Sequence, residues 1–316
     1  MLKPSALRQE AAERLRQAAY SPKRLVLLHT AVALGCSVLS SLISYVLSLQ
    51  IAETGGLSGM ELRAALSTAQ SVLTLLIFVG LPFWQIGLYY TTLQWTKGEQ
   101  ASFSSLLHGF YKFGSVLRLL LWQTGLLIAV GIAVYNVSYI IFTLTPFAAP
   151  LMEQLATMQP QAITLEFMSS FTQAFIPLLI IFVALYAVAA FLLYFRLRFA
   201  GFALSEGLPA GKAFLKSFAV TRKNCLQILK LDLSYWWYYL LLGFSILISN
   251  GDSVLSALDI SLPISATAAY FVFYSLGLIC QGILLWQCEA RRLTAYCLAY
   301  RKLAGIPDEP YPVESV

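Results

Sequence analysis

Six long apolar runs, separated by short polar intervals, cover most of the chain: 25–51, 69–95, 116–141, 171–195, 225–249 and 263–288. Each holds about 25 residues, and a helix needs about 20 to cross a hydrocarbon core of about 30 Å. The pattern predicts an all-α, polytopic membrane protein with six transmembrane helices. One integral membrane domain is expected over 1–305, followed by a polar, Pro-bearing tail over 306–316 that is expected to be disordered. Tyr89, Tyr90 and Trp95 close the second run, where amphipathic rings suit the lipid–water boundary.

Three of the polar intervals are themselves patterned. Leu7, Ala11, Leu15 and Ala18 recur at helical spacing among charged residues. Phe103, Leu106, Leu107, Phe110 and Phe113 fall on one helical face, and Phe214, Leu215 and Phe218 do so beside Lys212, Lys216, Arg222 and Lys223. Such stretches read as amphipathic helices lying on the membrane. The order of interval, span, acidic loop and returning span occurs over about 1–95, 97–195 and 205–289. It fits three parallel helical-hairpin repeats. Any series of hairpins with basic loops on one side gives the same order.

Charge orients the spans. Only 11% of the 316 residues are charged, against about 25% in soluble domains. All but one of the 21 Lys and Arg lie in or beside the two terminal segments and the second and fourth loops; the exception is Arg63. The other side carries Glu53, Glu61, Glu153, Glu166, Asp252 and Asp259. The positive-inside rule then places both termini in the cytoplasm, with the chain multi-pass in the cell membrane. The net charge of +6 is therefore a basic membrane face and no sign of nucleic-acid binding. The expected partners are membrane lipids with anionic headgroups, a membrane protein, or a second copy of the chain. The long charged lead and the length of the first run argue against a cleaved signal peptide. The five cysteines form no CxxC pair and lie away from the outer loops, so they read as small packing residues.

Chemistry is sparse. No HExxH, GxSxG, phosphate-binding loop or paired-Cys spacing occurs, and the two histidines, His29 and His108, make no metal set by themselves. No enzyme activity and no cofactor are expected. The sharpest residue is Asp232, seven positions into the fifth run and so roughly 10 Å along a helix from its basic end. A carboxylate at that depth needs protein, water or a cation beside it. Arg196, Arg198 and Arg118 are its candidate partners. Together with Ser234 and Gln281 they form a candidate polar cavity or lipid-headgroup site; Gln85 and Gln123 are further polar groups at membrane depth. Asp232 either binds a cation, proton or substrate amine in such a cavity, or locks the fifth span through an ion pair, which is the preferred reading. Trp236, Trp237, Tyr238 and Tyr239 follow it and cover every face of a helix. Asn136-Val137-Ser138 fits a glycosylation sequon but sits at the end of a span.

The stretch KAFLKSFAVTRKNCLQILKLDLSYWWYYLLL resembles the C-terminal half of the "domain of unknown function 975" family of integral membrane proteins. Ala213, Ser217, Lys223, Asn224, Leu231, Asp232, Leu233, Ser234 and Trp237 carry the likeness, and the opening basic helix LRQEAAERLRQAA is similar too. The chain departs before Ala213, where Ser205-Glu206-Gly207-Leu208-Pro209 replaces the family's Asp-Asn-Pro-like turn. A looser likeness links the layout to the membrane domain found beside glycerophosphodiester phosphodiesterases. The resemblance implies a protein of the bacterial cytoplasmic membrane, from a Gram-positive organism, and no established activity. Two functions follow as expectations: transport or lipid handling through a cytoplasm-facing polar cavity, or a non-catalytic scaffold for other envelope proteins.

Overall fold

The computed structural model describes residues 3–18, 21–53, 58–146, 148–149, 165–258 and 265–307. They form helices α1 (Pro4–Gln17), α2 (Pro22–Glu53), α3 (Ser58–Lys97), α4 (Phe103–Leu106), α5 (His108–Tyr111), α6 (Phe113–Thr143), α7 (Leu165–Leu197), α8 (Ala200–Ser205), α9 (Ala210–Leu233), α10 (Trp236–Ser249), α11 (Gly251–Ala257) and α12 (Ala266–Leu303). No strand occurs among the described residues. The fold is all-α. Five helices are long and apolar enough to cross a bilayer, and α9 with α10 make a sixth candidate only when taken together. Leu39, Leu75, Leu76, Ile132, Ile180 and Ile283 stand exposed on these helices. Water would reject such faces, whereas lipid suits them. The chain is thus a multi-pass membrane protein. Most of the tail expected to be disordered lies outside the described residues.

Contacts divide the chain into two compact units, Met1–Val116 with Phe199–Val316, and Leu117–Arg198. In the second unit α6 and α7 run antiparallel. Tyr135 meets Phe182 edge-on at 6.3 Å, and Phe142, Ala148 and Leu178 bury together. Gly131 lets Tyr186 come within 3.4 Å of where a Cβ would stand.

The first unit is built on α12, which packs against α1, α2, α3 and α10. Two expected spans are corrected here. The sixth does not stop at 288: α12 continues as one helix to Leu303, and every residue from Leu293 to Arg301 is buried. The basic segment after 288 is core, because Leu293, Ala295, Leu298 and Ala299 turn small or apolar surface to all sides. The fifth span is broken. A bend of 64° separates α9 from α10, so Asp232 ends one helix and does not lie inside a straight one.

The amphipathic intervals also take their apolar faces partly into protein. Leu7 and Ala11 of α1 are buried, and α1 packs on α12 and α3. Its polar face is tied down by Glu10, 2.5 Å from Lys302, and by Arg14, which donates to the Thr96 carbonyl at 3.2 Å. The Glu10–Lys302 pair is partly solvated, so Glu10→Gln should destabilise by under about 1 kcal/mol, as read by thermal unfolding in detergent.

The interval after α3 forms α4 and α5, not one surface helix. Leu106 is fully buried, while Phe103, Phe110 and Phe113 stay exposed. Two glycines set this packing. A Cβ on Gly87 would collide with the Leu106 carbonyl, and one on Gly109 with the Phe83 carbonyl. Backbone therefore touches backbone. Tyr90 stacks on His108 at 3.7 Å. Burial first, and Lys112 second, hold the His108 imidazole below its ordinary pKa.

Candidate functional site

The polar residues of the first unit converge where α9 breaks. The break has a local cause: Ser234 turns its hydroxyl back onto the Leu231 carbonyl at 2.7 Å, and Tyr235 leaves helical geometry (φ −111°, ψ 20°). A backbone group freed there needs a partner. Arg8 of α1 donates to the Ser234 carbonyl at 3.2 Å.

Six side chains then join the α9–α10 corner to α12. Asp232 accepts a hydrogen bond from the Tyr296 hydroxyl. Tyr239 and Tyr296 share one between their hydroxyls at 3.1 Å. Tyr238 donates to Glu289 Oε2 at 3.1 Å. Arg292 grips Glu289 with two charge-assisted bonds of 2.6 and 2.8 Å. The guanidinium also lies 5.1 Å from the Tyr238 ring centre and 5.4 Å from that of Tyr296. Rings on both helices thus contact the cation through their negative faces.

The paired charges explain how ionised groups persist in an apolar segment. Glu289 is only 7% exposed, and an unpaired carboxylate there would carry a penalty of several kcal/mol. His29 of α2 is within electrostatic reach of the same carboxylate. It stacks flat beside Trp84 at 5.9 Å, and Trp84 Nε1 donates to the His29 carbonyl at 3.2 Å. A second, smaller set lies towards the end of α12: Tyr300 donates to Glu206 at 2.8 Å, and Lys216 sits 3.7 Å from that carboxylate.

The expected site residues divide between places. Asp232 and Ser234 do meet at the corner. Gln281 is half-buried on α12, eight positions before Glu289, and the described bonds of the cluster do not include it. Arg118, Arg196 and Arg198 belong to the Leu117–Arg198 unit. There Arg118 is exposed on α6, and Arg198 lies over the Tyr194 and Phe195 rings at 5.9 and 5.5 Å. The described hydrogen bond of Asp232 comes from a tyrosine. Sequence reading missed Glu289 and Arg292. Their i, i+3 spacing just before the run LTAYCLAY was the available signal. Of the aromatics from Trp236 to Tyr239, Tyr238 is buried and Tyr239 reaches Tyr296 while staying 38% exposed, as Trp237 is; Trp236 is exposed at 59%.

Chemically, the arrangement is a clamp. It holds fixed charges at fixed distances and ties α10 to α12. Asp232→Asn keeps an acceptor for Tyr296, so it should lower the midpoint of thermal unfolding by the equivalent of only about 1 kcal/mol. Among the described residues no three His, Cys, Asp or Glu side chains gather as a metal site would need. Comparison with protein-family models, curated proteins and solved structures finds no match, so the likeness to the "domain of unknown function 975" family rests on the residues quoted for it.

Proposed function

We propose that the protein is a non-catalytic scaffold of the bacterial cytoplasmic membrane, with both termini in the cytoplasm, that presents its helices to another membrane protein or to a second copy of itself. One observation carries this reading: the Glu289–Arg292–Tyr238 clamp fills the polar centre of the larger unit with side chains that satisfy each other. Polar groups spent on one another are not available to a cargo, and a rigid core suits a support. The basic distribution along the chain supports the orientation.

Transport or lipid handling is the second reading. The broken helix beside Asp232 favours it, since transporters place sites where spans are discontinuous. Two experiments separate the readings. Crosslinking in intact membranes, followed by mass spectrometry, is expected to trap one membrane protein or a second copy at stoichiometric yield. Proteoliposomes carrying wild type or Asp232→Asn are expected to show the same proton leak. Absence of any stoichiometric crosslink, together with a proton flux that Asp232→Asn abolishes in a stably folded protein, would move the function to transport.

A further inference from the structure

An apolar groove of about 340 Å³ runs between α2 and α12. Leu27, Leu34 and Val38 form one wall, and Leu278, Ile283 and Trp286 the other. Two glycines keep it open. A Cβ on Gly35 would have no atom within 4 Å, and one on Gly282 would meet only Leu34, at 3.2 Å. From Leu27 to Val38 the groove follows α2 for roughly 16 Å at 1.5 Å per residue. That matches one leaflet, half of a hydrocarbon core of about 30 Å.

The end of the groove at Trp286 is polar. Lys23, at the start of α2, holds its ammonium 5.8 Å from the Trp286 ring centre and donates to Gln287 Oε1 at 3.4 Å. Among the described residues no carboxylate pairs with Lys23, and Arg24 beside it is exposed. The Gln287 amide keeps its Nε2 donors for an anion. A leaflet-long apolar slot that ends in an unneutralised cation has the shape and charge of a phospholipid.

We propose that this groove seats one acyl chain of an anionic phospholipid from the leaflet on the basic side of the protein, with its phosphate on Lys23 and Gln287. This inference stands on α2 and α12 alone and does not depend on the scaffold reading. A lipid tail gains no hydrophobic free energy by leaving other tails. Selection therefore comes from the headgroup, while the slot fixes the position. A basic side chain at the membrane surface contributes a roughly five-fold preference for anionic lipid, the factor that about 1 kcal/mol represents.

Native mass spectrometry of the full chain, released from nanodiscs of equimolar phosphatidylglycerol and phosphatidylcholine, tests this. Wild type should retain one phosphatidylglycerol about five-fold over phosphatidylcholine. Lys23→Gln should remove the preference. Gly35→Leu, whose side chain enters open space, should remove the retained lipid, whereas Gly125→Leu on the open face of α6 should change neither. Equal retention of both lipids by wild type would overturn the proposal. So would an unchanged preference in Lys23→Gln, or unchanged retention in a Gly35→Leu protein with wild-type thermal stability. Should Gly35→Leu fail to fold, Lys23→Gln decides.

Discussion

Arg292→Ala is expected to destabilise the protein by roughly 3–5 kcal/mol, the largest effect of any single change considered, because it strands Glu289 in the core. The carboxylate is 7% exposed and takes two short bonds from that guanidinium. Tyr238 alone would remain as its donor. The change also removes a cation from between two tyrosine rings. Equilibrium unfolding in mixed micelles measures the loss. A paired variant identifies its cause. Replacing both charges with apolar residues of similar volume, Glu289→Leu with Arg292→Met, leaves no buried ion, and such swaps are often neutral or better. The double variant should recover all but about 1 kcal/mol, the remainder belonging to the Tyr238 hydroxyl that has lost its acceptor. A double variant as unstable as the single one would show that packing, not charge, dominates at this position.

Gly87→Ala should be the second most damaging change, and against the usual trend. Alanine normally stabilises a helix interior over glycine by up to about 1 kcal/mol. At Gly87 the added methyl meets the Leu106 carbonyl, and backbone cannot rotate away as a side chain would. Forcing α4 off α3 would unseat Leu106, which is fully buried, and disturb the Phe83–Phe113 stack at 4.8 Å. Overpacking of this kind costs about 1–3 kcal/mol or more, so a net loss of about 2 kcal/mol is expected. Gly80→Ala provides the control on the same helix. Nothing lies within 4 Å of its Cβ position, so it should be neutral or slightly stabilising. Thermal unfolding of the two variants side by side checks both statements. Equal midpoints would mean that α4 and α5 can shift at little expense.

The lengths of the apolar runs made the helices legible, because a bilayer imposes a minimum span that no soluble fold demands. The distribution of Lys and Arg carries an expected orientation by the positive-inside rule. Partnerships were harder to read. Asp232 stood out because a carboxylate in an apolar run needs company, yet its described partner lies 64 residues away on a helix whose end resembled a tail. Arginine was the natural expectation, since charge seeks charge. The described hydrogen bond comes from a tyrosine, at a carboxylate that the bend after Leu233 leaves half-buried. Glu289 and Arg292 escaped notice for the opposite reason: charges at a span boundary look solvated until the residues beyond them prove to be buried. The amphipathic faces were read correctly as apolar, but a one-dimensional pattern does not distinguish a face turned to lipid from one turned to another helix. Leu7 and Ala11 went to protein, and Phe103 and Phe110 stayed exposed.

The central place of α12 has a consequence for how the chain is made. Ribosomes add about 5–20 residues per second. The inner half of α3 is therefore synthesised roughly 10–40 s before the end of α12, against which it packs. During that interval Thr91, Thr92 and Thr96 satisfy their hydroxyls on the helix's own carbonyls at 2.7–2.8 Å. Those self-contained bonds spare the three hydroxyls any need for a partner from a later helix. Asp232 and Tyr238, whose partners Tyr296 and Glu289 lie on α12, find their places only once the last helix arrives.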